Sequence, residues 1–459
     1  MKKYIVYPIL TLLVSVFTFT ACDKWIDPAI NIDPDVPSEV PVELLMPSME
    51  LALAYHIGGN RAVKTTAIFM QQINGVARNS NSEANYSLAS TDTDDLWRRM
   101  YYQGMMDAVK IIDLGYEINS PHYSGAARVC LAMSLGTLTN LFGDIPYSEA
   151  FLGSDGVLTP AYDSQQDIYT AIDILLSEAI TDLESTENIF DIEGDLIYGG
   201  DTDDWIKAAN SLRARYALYR KNYSNAMSYA AASFGTGENF KIDFGSANNE
   251  ANPIYQYNTT SAWGADIVMA STFIDMLNAV NDPRLPFYAD LRGGVYLGST
   301  PGSEDDDVSD LGTYNDSPEA PVLFSSYAEM KFIEAECYMR QTVPDNDAAA
   351  AAYIAAVESS VDYVTGGADN EAWLDANIRT ETGASITIEK IITQKYIAMY
   401  STVVPYDDFR RTGYPDLTPV AGAGGIPVRF PYPQSEISYN NANVPSVGSL
   451  TDPLWIFDL

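Results

Sequence analysis

The stretch from Ala126 to Phe142 reads AARVCLAMSLGTLTNLF and stops directly before Gly143. Apolar and small residues fall on nearly every side of a helix drawn through it, which predicts a helix buried on all sides. Gly143 has the backbone freedom that can end a helix, and Pro146 prevents the helix from resuming. The sequence therefore predicts a buried helix that ends at Phe142.

Amphipathic segments follow one another along the rest of the chain. Apolar residues recur in them three or four positions apart, and the breaks between them are short, which is typical of stacked helical hairpins. No strict period is visible, so any tetratricopeptide-like repeat is degenerate. The predicted fold is therefore mostly α. The segments run from Trp97 to Ile112, from about Ser164 to Leu183, from Trp205 to Tyr219, from Tyr327 to Cys337, from Asp345 to Val361 and from Ile388 to Met399.

One long stretch, residues 236–323, departs from this pattern. It is rich in Asn, Gly, Asp and Pro, and apart from a predicted helix near Ser271 to Val280 it is expected to form irregular loops. A loop region of this length inside a compact domain is usually functional or disordered, and its aromatic residues favour function. The Pro/Gly-rich stretch after Arg411 is also expected to pack irregularly. The aromatic residues of the loop-rich stretch include Tyr255, Tyr257, Trp263, Tyr288, Tyr296 and Tyr314.

Charge and composition exclude several classes of function. The chain of 459 residues carries 26 Lys and Arg against 62 Asp and Glu, a formal charge of −36. Nucleic-acid binding and adsorption to anionic lipid both need a basic surface. The 2 histidines and 3 cysteines argue against a His-rich zinc site and against a disulfide framework. Cys130 and Cys337 fall in apolar helical patterns, which favours buried thiols, although a disulfide between them stays open.

The N-terminus predicts export. Lys2 and Lys3 precede the uncharged, mostly apolar segment from Tyr4 to Ala21, and Cys22 follows directly. This pattern resembles a lipobox, at which a signal peptidase cuts before a cysteine that is then lipidated. An ordinary signal peptide or an anchor helix with an incidental cysteine is the alternative. We therefore expect a lipoprotein signal peptide over residues 1–21, a lipidated tether over residues 22–41 and a single domain over residues 42–459.

No catalytic or cofactor motif is recognisable in the sequence. GxSxG, HExxH and GxxxxGK[ST] are absent, and Pro427 spoils a dinucleotide-binding pattern that begins at Gly422. Neither catalytic residues nor a cofactor is expected, although acid pairs for glycoside hydrolysis stay open because only their separation in space matters. The acidic run from Ser303 to Asp310 could bind calcium, but it lacks the spacing of an EF-hand, which favours a solvated loop.

Several motifs occur in an order that resembles one family. Each motif is weak alone, but the set runs from about residue 22 to the end of the chain and is most similar to the second SusD-like subgroup of the SusD/RagB family of Bacteroidetes lipoproteins. The motifs are Leu141 to Ala150 (LFGDIPYSEA), Trp205 to Arg215 (WIKAANSLRAR), Phe324 to Cys337, Gln394 to Tyr396 with Phe409 to Pro415 (FRRTGYP), and Arg429 to Pro433 (RFPYP) with Glu436 and Asn440.

The resemblance implies a fold, a place in the cell and a partner. It implies a tetratricopeptide-like helical body, lipid-anchored at the outer membrane and facing the exterior. The protein would capture an oligomeric nutrient, a glycan first and an oligopeptide second, and pass it unchanged to a SusC-like TonB-dependent transporter. A surface glycoside hydrolase and a helical-repeat scaffold without a small ligand are the rival hypotheses.

Candidate ligand contacts come from the aromatic loops and from the segment before Trp97. A sugar ring presents an apolar face and a hydroxyl rim, so its site needs flat aromatics beside polar groups. The resemblance makes Trp97 a candidate, because the family often places an aromatic that faces the ligand at this helix start, although the register of Trp97 also suits core packing. In contrast, Arg410 and Arg411 are expected to hold helix carbonyls or buried carboxylates. The candidate ligand-binding residues are Arg78, Tyr86, Trp97, Tyr257, Trp263, Tyr296 and Tyr314.

Overall fold

The computed structural model describes residues 40–247, 249–260 and 264–458. The chain divides into two units after Pro41. In the first unit only Val40 and Pro41 are described, so the predicted signal peptide, Cys22 and nearly all of the predicted tether lie outside the described residues. The second unit, Val42–Leu459, forms one compact body.

Helices make up most of this body, which confirms the mostly α prediction. Within the described residues they alternate with loops and four short strands. Two π-helical turns, Met100–Met105 and Gln256–Thr260, and two 3-10 turns, Gly153–Asp155 and Trp455–Phe457, complete the helical elements. The α-helices in chain order are α1 Val42–His56, α2 Ala62–Phe69, α3 Arg78–Ala84, α4 Ser90–Arg99, α5 Met106–Glu117, α6 Pro121–Phe142, α7 Gln165–Leu183, α8 Thr202–Tyr219, α9 Tyr223–Ala231, α10 Pro253–Tyr255, α11 Ser271–Asn278, α12 Leu285–Tyr288, α13 Tyr327–Arg340, α14 Asn346–Thr365, α15 Glu371–Asn377, α16 Ile388–Ala398, α17 Val404–Thr412 and α18 Gln434–Tyr439.

Polar side chains fix the starts of the predicted helices. The Ser164 hydroxyl accepts the Asp167 N–H at 3.2 Å before α7, and the Ser326 hydroxyl accepts the Glu329 N–H at 3.1 Å before α13. Asp201 accepts the Asp203 N–H at 2.9 Å before α8. Such caps satisfy N–H groups that have no partner within the helix. The helices predicted near Ser164, Trp205 and Tyr327 are therefore confirmed.

Consecutive helices pack against one another around α6. This helix contacts α5, α7 and α8, while α8 packs on α9 and α13 packs on α14. Nearly every residue of α6 is buried, as its apolar surface predicts, and the Gly143 N–H closes the helix on the Thr139 carbonyl at 2.8 Å. No helix in the described ranges is both long and apolar enough to cross a bilayer.

The strands form two small antiparallel sheets. Strand β1 (Ile73–Gly75) pairs with β3 (Ile267–Met269), and β2 (Asn239–Ile242) pairs with β4 (Val322–Ser326). The expectation of irregular loops across residues 236–323 is therefore corrected, because β2, β3 and short helices lie within it. Strand β3 escapes prediction because it is buried on both faces and shows none of the alternation that marks a half-exposed strand. Strand β2 does alternate, but over four residues only.

The segment before Trp97 also differs from its prediction. It is helical over α3 and over α4, so Trp97 lies in the last turns of α4 rather than at a helix start. The cause is local, since the Asp92 carboxylate accepts the Ala89 N–H at 2.8 Å and starts α4 several residues earlier. After α4 the chain continues through the π-helical turn Met100–Met105 into α5.

The chain after α17 was expected to pack irregularly, and it does so except at α18 and the 3-10 turn Trp455–Phe457. It inserts aromatic residues into the core. The Phe430 N–H donates to the Leu141 carbonyl at 2.7 Å, and the Tyr432 hydroxyl donates to the Asp144 carbonyl at 2.8 Å. Both side chains are buried, and Phe142 packs against both rings. The C-terminal segment thereby covers the end of α6.

A buried network of charges joins α13, α16 and α17. Arg411 donates to Glu336 at 2.6 Å and to Asp408 at 2.7 Å, and Lys395 lies 2.9 Å from Asp408. Burial alone raises the pKa of Glu336 and Asp408, yet the neighbouring cations hold both pKa values below their ordinary range. The structural role predicted for Arg411 is confirmed.

Arg410 and the two core cysteines also match their predictions. Arg410 donates to the carbonyls of Asn140, in the last turn of α6, and of Val428, the latter at 3.0 Å. Arg410 therefore satisfies a helix-terminal carbonyl, as expected. Cys130 and Cys337 are buried free thiols, so the open question of a disulfide between them is answered.

The Arg411 network gives a direct test of how strongly buried charge holds the fold. Arg411→Ala should lower the free energy of unfolding by about 3–5 kcal/mol, because it leaves Glu336 and Asp408 with too few cations in the core. Arg379→Ala is the matched control: Arg379 also pairs with carboxylates, but it lies at the surface, so the loss should be much smaller. Urea unfolding measures both, and equal losses would contradict the prediction.

A second buried carboxyl predicts a dependence of stability on pH. Glu50 in α1 is fully buried, and one of its oxygens accepts the Leu196 N–H at 2.8 Å. Burial, reinforced by the adjacent Asp195 carboxylate, raises the pKa of Glu50 well above its ordinary value. The unfolded chain releases this proton above its ordinary pKa of 4.5, whereas the folded chain keeps it. The contribution of Glu50 to stability therefore falls as pH rises from 4.5 through the folded pKa.

Glu50→Gln should remove this loss. The variant should melt at a higher temperature than the parent protein at neutral pH, with the difference shrinking toward the acid end of the range. Thermal unfolding across this pH range measures the effect. The exposed Glu117→Gln change should leave the profile unaltered, and a Glu50→Gln difference that does not vary with pH would contradict the assignment.

Candidate functional site

A polar cleft of about 220 Å³ opens between α2, α3 and α4, with Tyr257 and Asp266 also in its wall. We call it the polar cleft. It brings together side chains that are distant in sequence, because the β1–β3 pairing places the segment before β3 against α3. Its lining includes Arg61, Lys64, Asn79, Glu83, Asp92, Tyr257 and Asp266.

Lys64 carries a charge inside an otherwise buried helix. Its ammonium donates to Glu83 at 2.9 Å and to Ser80 at 3.3 Å, and the other Glu83 oxygen accepts the Thr65 hydroxyl at 3.1 Å. Both members of the Lys64–Glu83 pair are less than a tenth exposed. A buried pair survives only when both charges are satisfied, so α2 and α3 are held in one arrangement.

Tyr257 and Arg78, two of the predicted ligand contacts, meet at Asp266. The Tyr257 hydroxyl lies 3.1 Å from the Ser80 hydroxyl and 3.4 Å from Asp266, and Arg78 Nε donates to Asp266 at 3.0 Å. Burial raises the pKa of Tyr257, so its ring carries a neutral phenol at physiological pH. Lys64 lies 5.6 Å from the centre of the same ring. The side chains in the wall of the cleft are thus linked by hydrogen bonds around the Tyr257 ring.

Tyr86 and Trp97 lie near the cleft but pack into the body. The Tyr86 hydroxyl accepts from Gln71 at 3.3 Å, and its ring meets Phe69 edge-on. Trp97 is only 5% exposed and packs against Tyr101 and Phe142. Most of the Trp97 side chain therefore packs in the core, which is the alternative that its register suggested.

Two of the remaining predicted contacts, Tyr296 and Tyr314, do not line the cleft. Tyr314 packs against Tyr288 with ring centres 5.1 Å apart, inside an aromatic cluster with Tyr400. Tyr296 is partly buried, and its carbonyl accepts from Asn278 at 3.3 Å. Trp263 lies outside the described residues, directly before Gly264. Ligand contact by these three residues stays a prediction.

A second depression lies on the opposite face of α4. It has a volume of about 520 Å³, and we call it the aromatic groove. Helix α4 separates the two depressions, since Asp92, Thr93 and Leu96 line the polar cleft while the groove takes the other side of the helix. The residues lining the groove include Asp94, Trp97, Arg98, Tyr101, Tyr102 and Glu436.

The acidic run from Ser303 to Asp310 is largely a solvated surface. Its carboxylates at Glu304, Asp305, Asp306 and Asp307 are exposed, and Asp307 pairs with Arg292 at 2.9 Å. In the described parts of the chain, no group of three or more His, Cys, Asp or Glu side chains is arranged to hold a metal ion.

Sequence reasoning missed the polar half of the cleft. Lys64, Glu83 and Asp266 are central to it, and none was selected. One signal was present: Lys64 is the single charge in AVKTTAIF, the sequence of α2, and a lone charge in an apolar helix needs a partner. Its partners could not be identified, because they depend on where α3 folds back.

The fold and the cleft define a helical binding protein, and comparison with known proteins gives its family. A family model for SusD-like proteins, described as starch-binding and associating with the outer membrane, matches residues 34–433. The chain therefore belongs to this SusD-like family, as its motifs indicated, and the family is associated with the outer membrane.

Solved structures share the fold. A chitin-binding protein covers 91% of this chain with 99% of its own, at 24% identity and a TM-score of 0.77. A SusD/RagB family protein from Bacteroides thetaiotaomicron covers 91% of this chain with 99% of its own, at 22% identity and a TM-score of 0.77. A chitin-binding SusD homologue from Flavobacterium johnsoniae covers 91% of this chain with 98% of its own, at 22% identity and a TM-score of 0.75. No curated protein matches the chain significantly.

Proposed function

We propose that this protein is a lipid-anchored, surface-facing nutrient-binding protein that captures an oligomeric glycan and passes it to a SusC-like TonB-dependent transporter. The observation that carries the proposal is the polar cleft, in which one aromatic ring lies among fixed hydrogen-bonding groups on a SusD-like body. Membership in a family described as starch-binding supports the glycan class.

The chemistry of the cleft suits a sugar. The partly buried Tyr257 contributes an aromatic ring to the lining, and Asn79, which is exposed at the cleft, offers both a donor and an acceptor to the hydroxyls of a sugar. Lys64, Glu83 and Asp266 are already held by hydrogen bonds. A site that is ordered before the ligand arrives loses less entropy on binding.

The carboxylates of the cleft support binding rather than hydrolysis. Glu83 accepts from Lys64, Asp266 accepts from Arg78, and Asp92 accepts from the Ala89 N–H. Glycoside hydrolysis needs one carboxylic acid that is free to protonate the leaving oxygen. Carboxylates that already accept from cations and amides are poorly placed for this step, which disfavours the glycosidase rival.

Asn79→Ala tests the cleft directly. It should weaken the binding of maltoheptaose or chitohexaose about fivefold, since one lost neutral hydrogen bond corresponds to about 1 kcal/mol. Asn225→Ala changes an exposed asparagine at α9 and should leave the affinity unchanged. Isothermal calorimetry on the protein measures both.

Other results of this titration would overturn parts of the proposal. Equal affinities of the two variants would remove the cleft from the site. Release of shorter sugars would favour the hydrolase, and binding of mixed oligopeptides without any glycan would replace the glycan by a peptide.

The anchor and the transporter need a test in the cell. Cys22 lies outside the described residues, and the lipobox pattern predicts that Cys22→Ala releases the protein from outer-membrane fractions. The unaltered protein, extracted in mild detergent, should co-purify with a β-barrel transporter. Retention of the Cys22→Ala variant would indicate a membrane-spanning N-terminus, and extraction without a transporter would favour the scaffold rival.

A further inference from the structure

A large aromatic side chain in the lining of the aromatic groove is exposed to solvent. Tyr102, in the π-helical turn after α4, is 72% exposed although it lines the groove. Tyr439 is 83% exposed and lies one turn after Ser435 and Glu436, which also line the groove, so it extends the same face of α18. Aromatic surface of this extent next to a concavity is typical of a binding site.

The floor of the groove is rigid and apolar. Trp97 is stacked on Tyr162 with ring centres 6.1 Å apart, and Tyr101 packs against Trp97 at 5.0 Å. The Tyr101 hydroxyl donates to the Pro146 carbonyl at 2.6 Å, which fixes the ring. Burial raises the pKa of Tyr101 and Tyr162, so the floor stays uncharged.

The rim of the groove is polar and ordered. Asp94 accepts the Ser435 N–H at 2.8 Å, and Glu436 accepts the Tyr162 hydroxyl at 2.9 Å. Arg98 has a side chain that is 65% exposed and is anchored at 2.8 Å to Asp95. The rim therefore offers carboxylate acceptors and a guanidinium donor beside the Tyr102 ring.

We propose that the aromatic groove is a second glycan subsite, in which Tyr102 is the platform for a sugar ring and Arg98 and Glu436 contact its hydroxyls. This proposal rests on the proposed function, because it assigns the groove to the same class of ligand. The volume of about 520 Å³ falls within the range of small-ligand sites, and the combination of a free ring with charged hydrogen-bonding groups fits a sugar better than a flat protein partner.

The position of the two depressions would let one long glycan contact both sites. They flank α4, and a helix with its side chains is about 10–12 Å across. A disaccharide can fill only one depression, whereas a longer chain can pass over α4 and occupy both. The second contact is then intramolecular, so affinity increases with chain length without any change in either site.

The test compares ligand lengths in matched variants. The unaltered protein should bind maltoheptaose or chitohexaose at least about tenfold more tightly than maltose or chitobiose. Tyr102→Ala should remove most of this gain, so that the long and the short glycans bind with similar affinity. Because Tyr102 is exposed, the variant should keep its melting temperature. Ile174→Ala, an exposed change on α7, should behave like the unaltered protein.

Each contrary result has a distinct meaning. A gain with chain length that survives Tyr102→Ala would overturn the groove subsite and leave the polar cleft as the site. Unchanged glycan affinity together with lost co-purification of the transporter would assign the groove to a protein interface instead. If the unaltered protein binds no glycan of either length, the proposed function itself fails, and this subsite fails with it.

Discussion

The fold depends on a set of charges that are buried where water cannot reach them. Glu336, Asp408, Lys395 and Arg411 are each at most 5% exposed, and together they connect α13, α16 and α17. Removing ions from water is costly, and the cost is offset only when every partner is in place. The network therefore accepts one arrangement of these helices, and that arrangement supports the rest of the body.

The same constraint recurs wherever distant segments meet. Arg215 of α8 donates to Glu329 of α13 at 2.7 Å. Arg284, which is fully buried and paired with Asp282, donates to Gln394 of α16 at 2.9 Å. Arg410 ties α17 to the end of α6. Three of these arginines, Arg215, Arg410 and Arg411, belong to the motifs that carried the family resemblance. Those motifs therefore specify the scaffold, which explains why they identify the family and leave the ligand open.

The parts of the structure that could be predicted are those with local causes. Helices with a capping side chain and an apolar stripe, such as α7 and α13, followed from neighbouring residues. The β1–β3 pairing did not, because each strand has three residues and the partners lie far apart in the chain. The candidate site could be predicted only in part. Tyr257 is recognisable from its aromatic ring, but the place of Lys64 in the site depends on Glu83, 19 residues away on another helix.

The charges of the cleft also bear on the glycan proposed as its ligand. The protein carries 26 basic against 62 acidic residues, so its surface repels polyanions at long range. Within the cleft, Lys64 is neutralised by Glu83, and Arg61 is paired with Asp95 at 2.6 Å. No cation described there lacks a carboxylate partner, since Arg78 is engaged by Asp266. At the proposed site a uronic-acid or sulfated chain would therefore meet repulsion without a compensating ion pair, whereas a neutral glycan would need only the hydrogen-bonding groups that line the cleft.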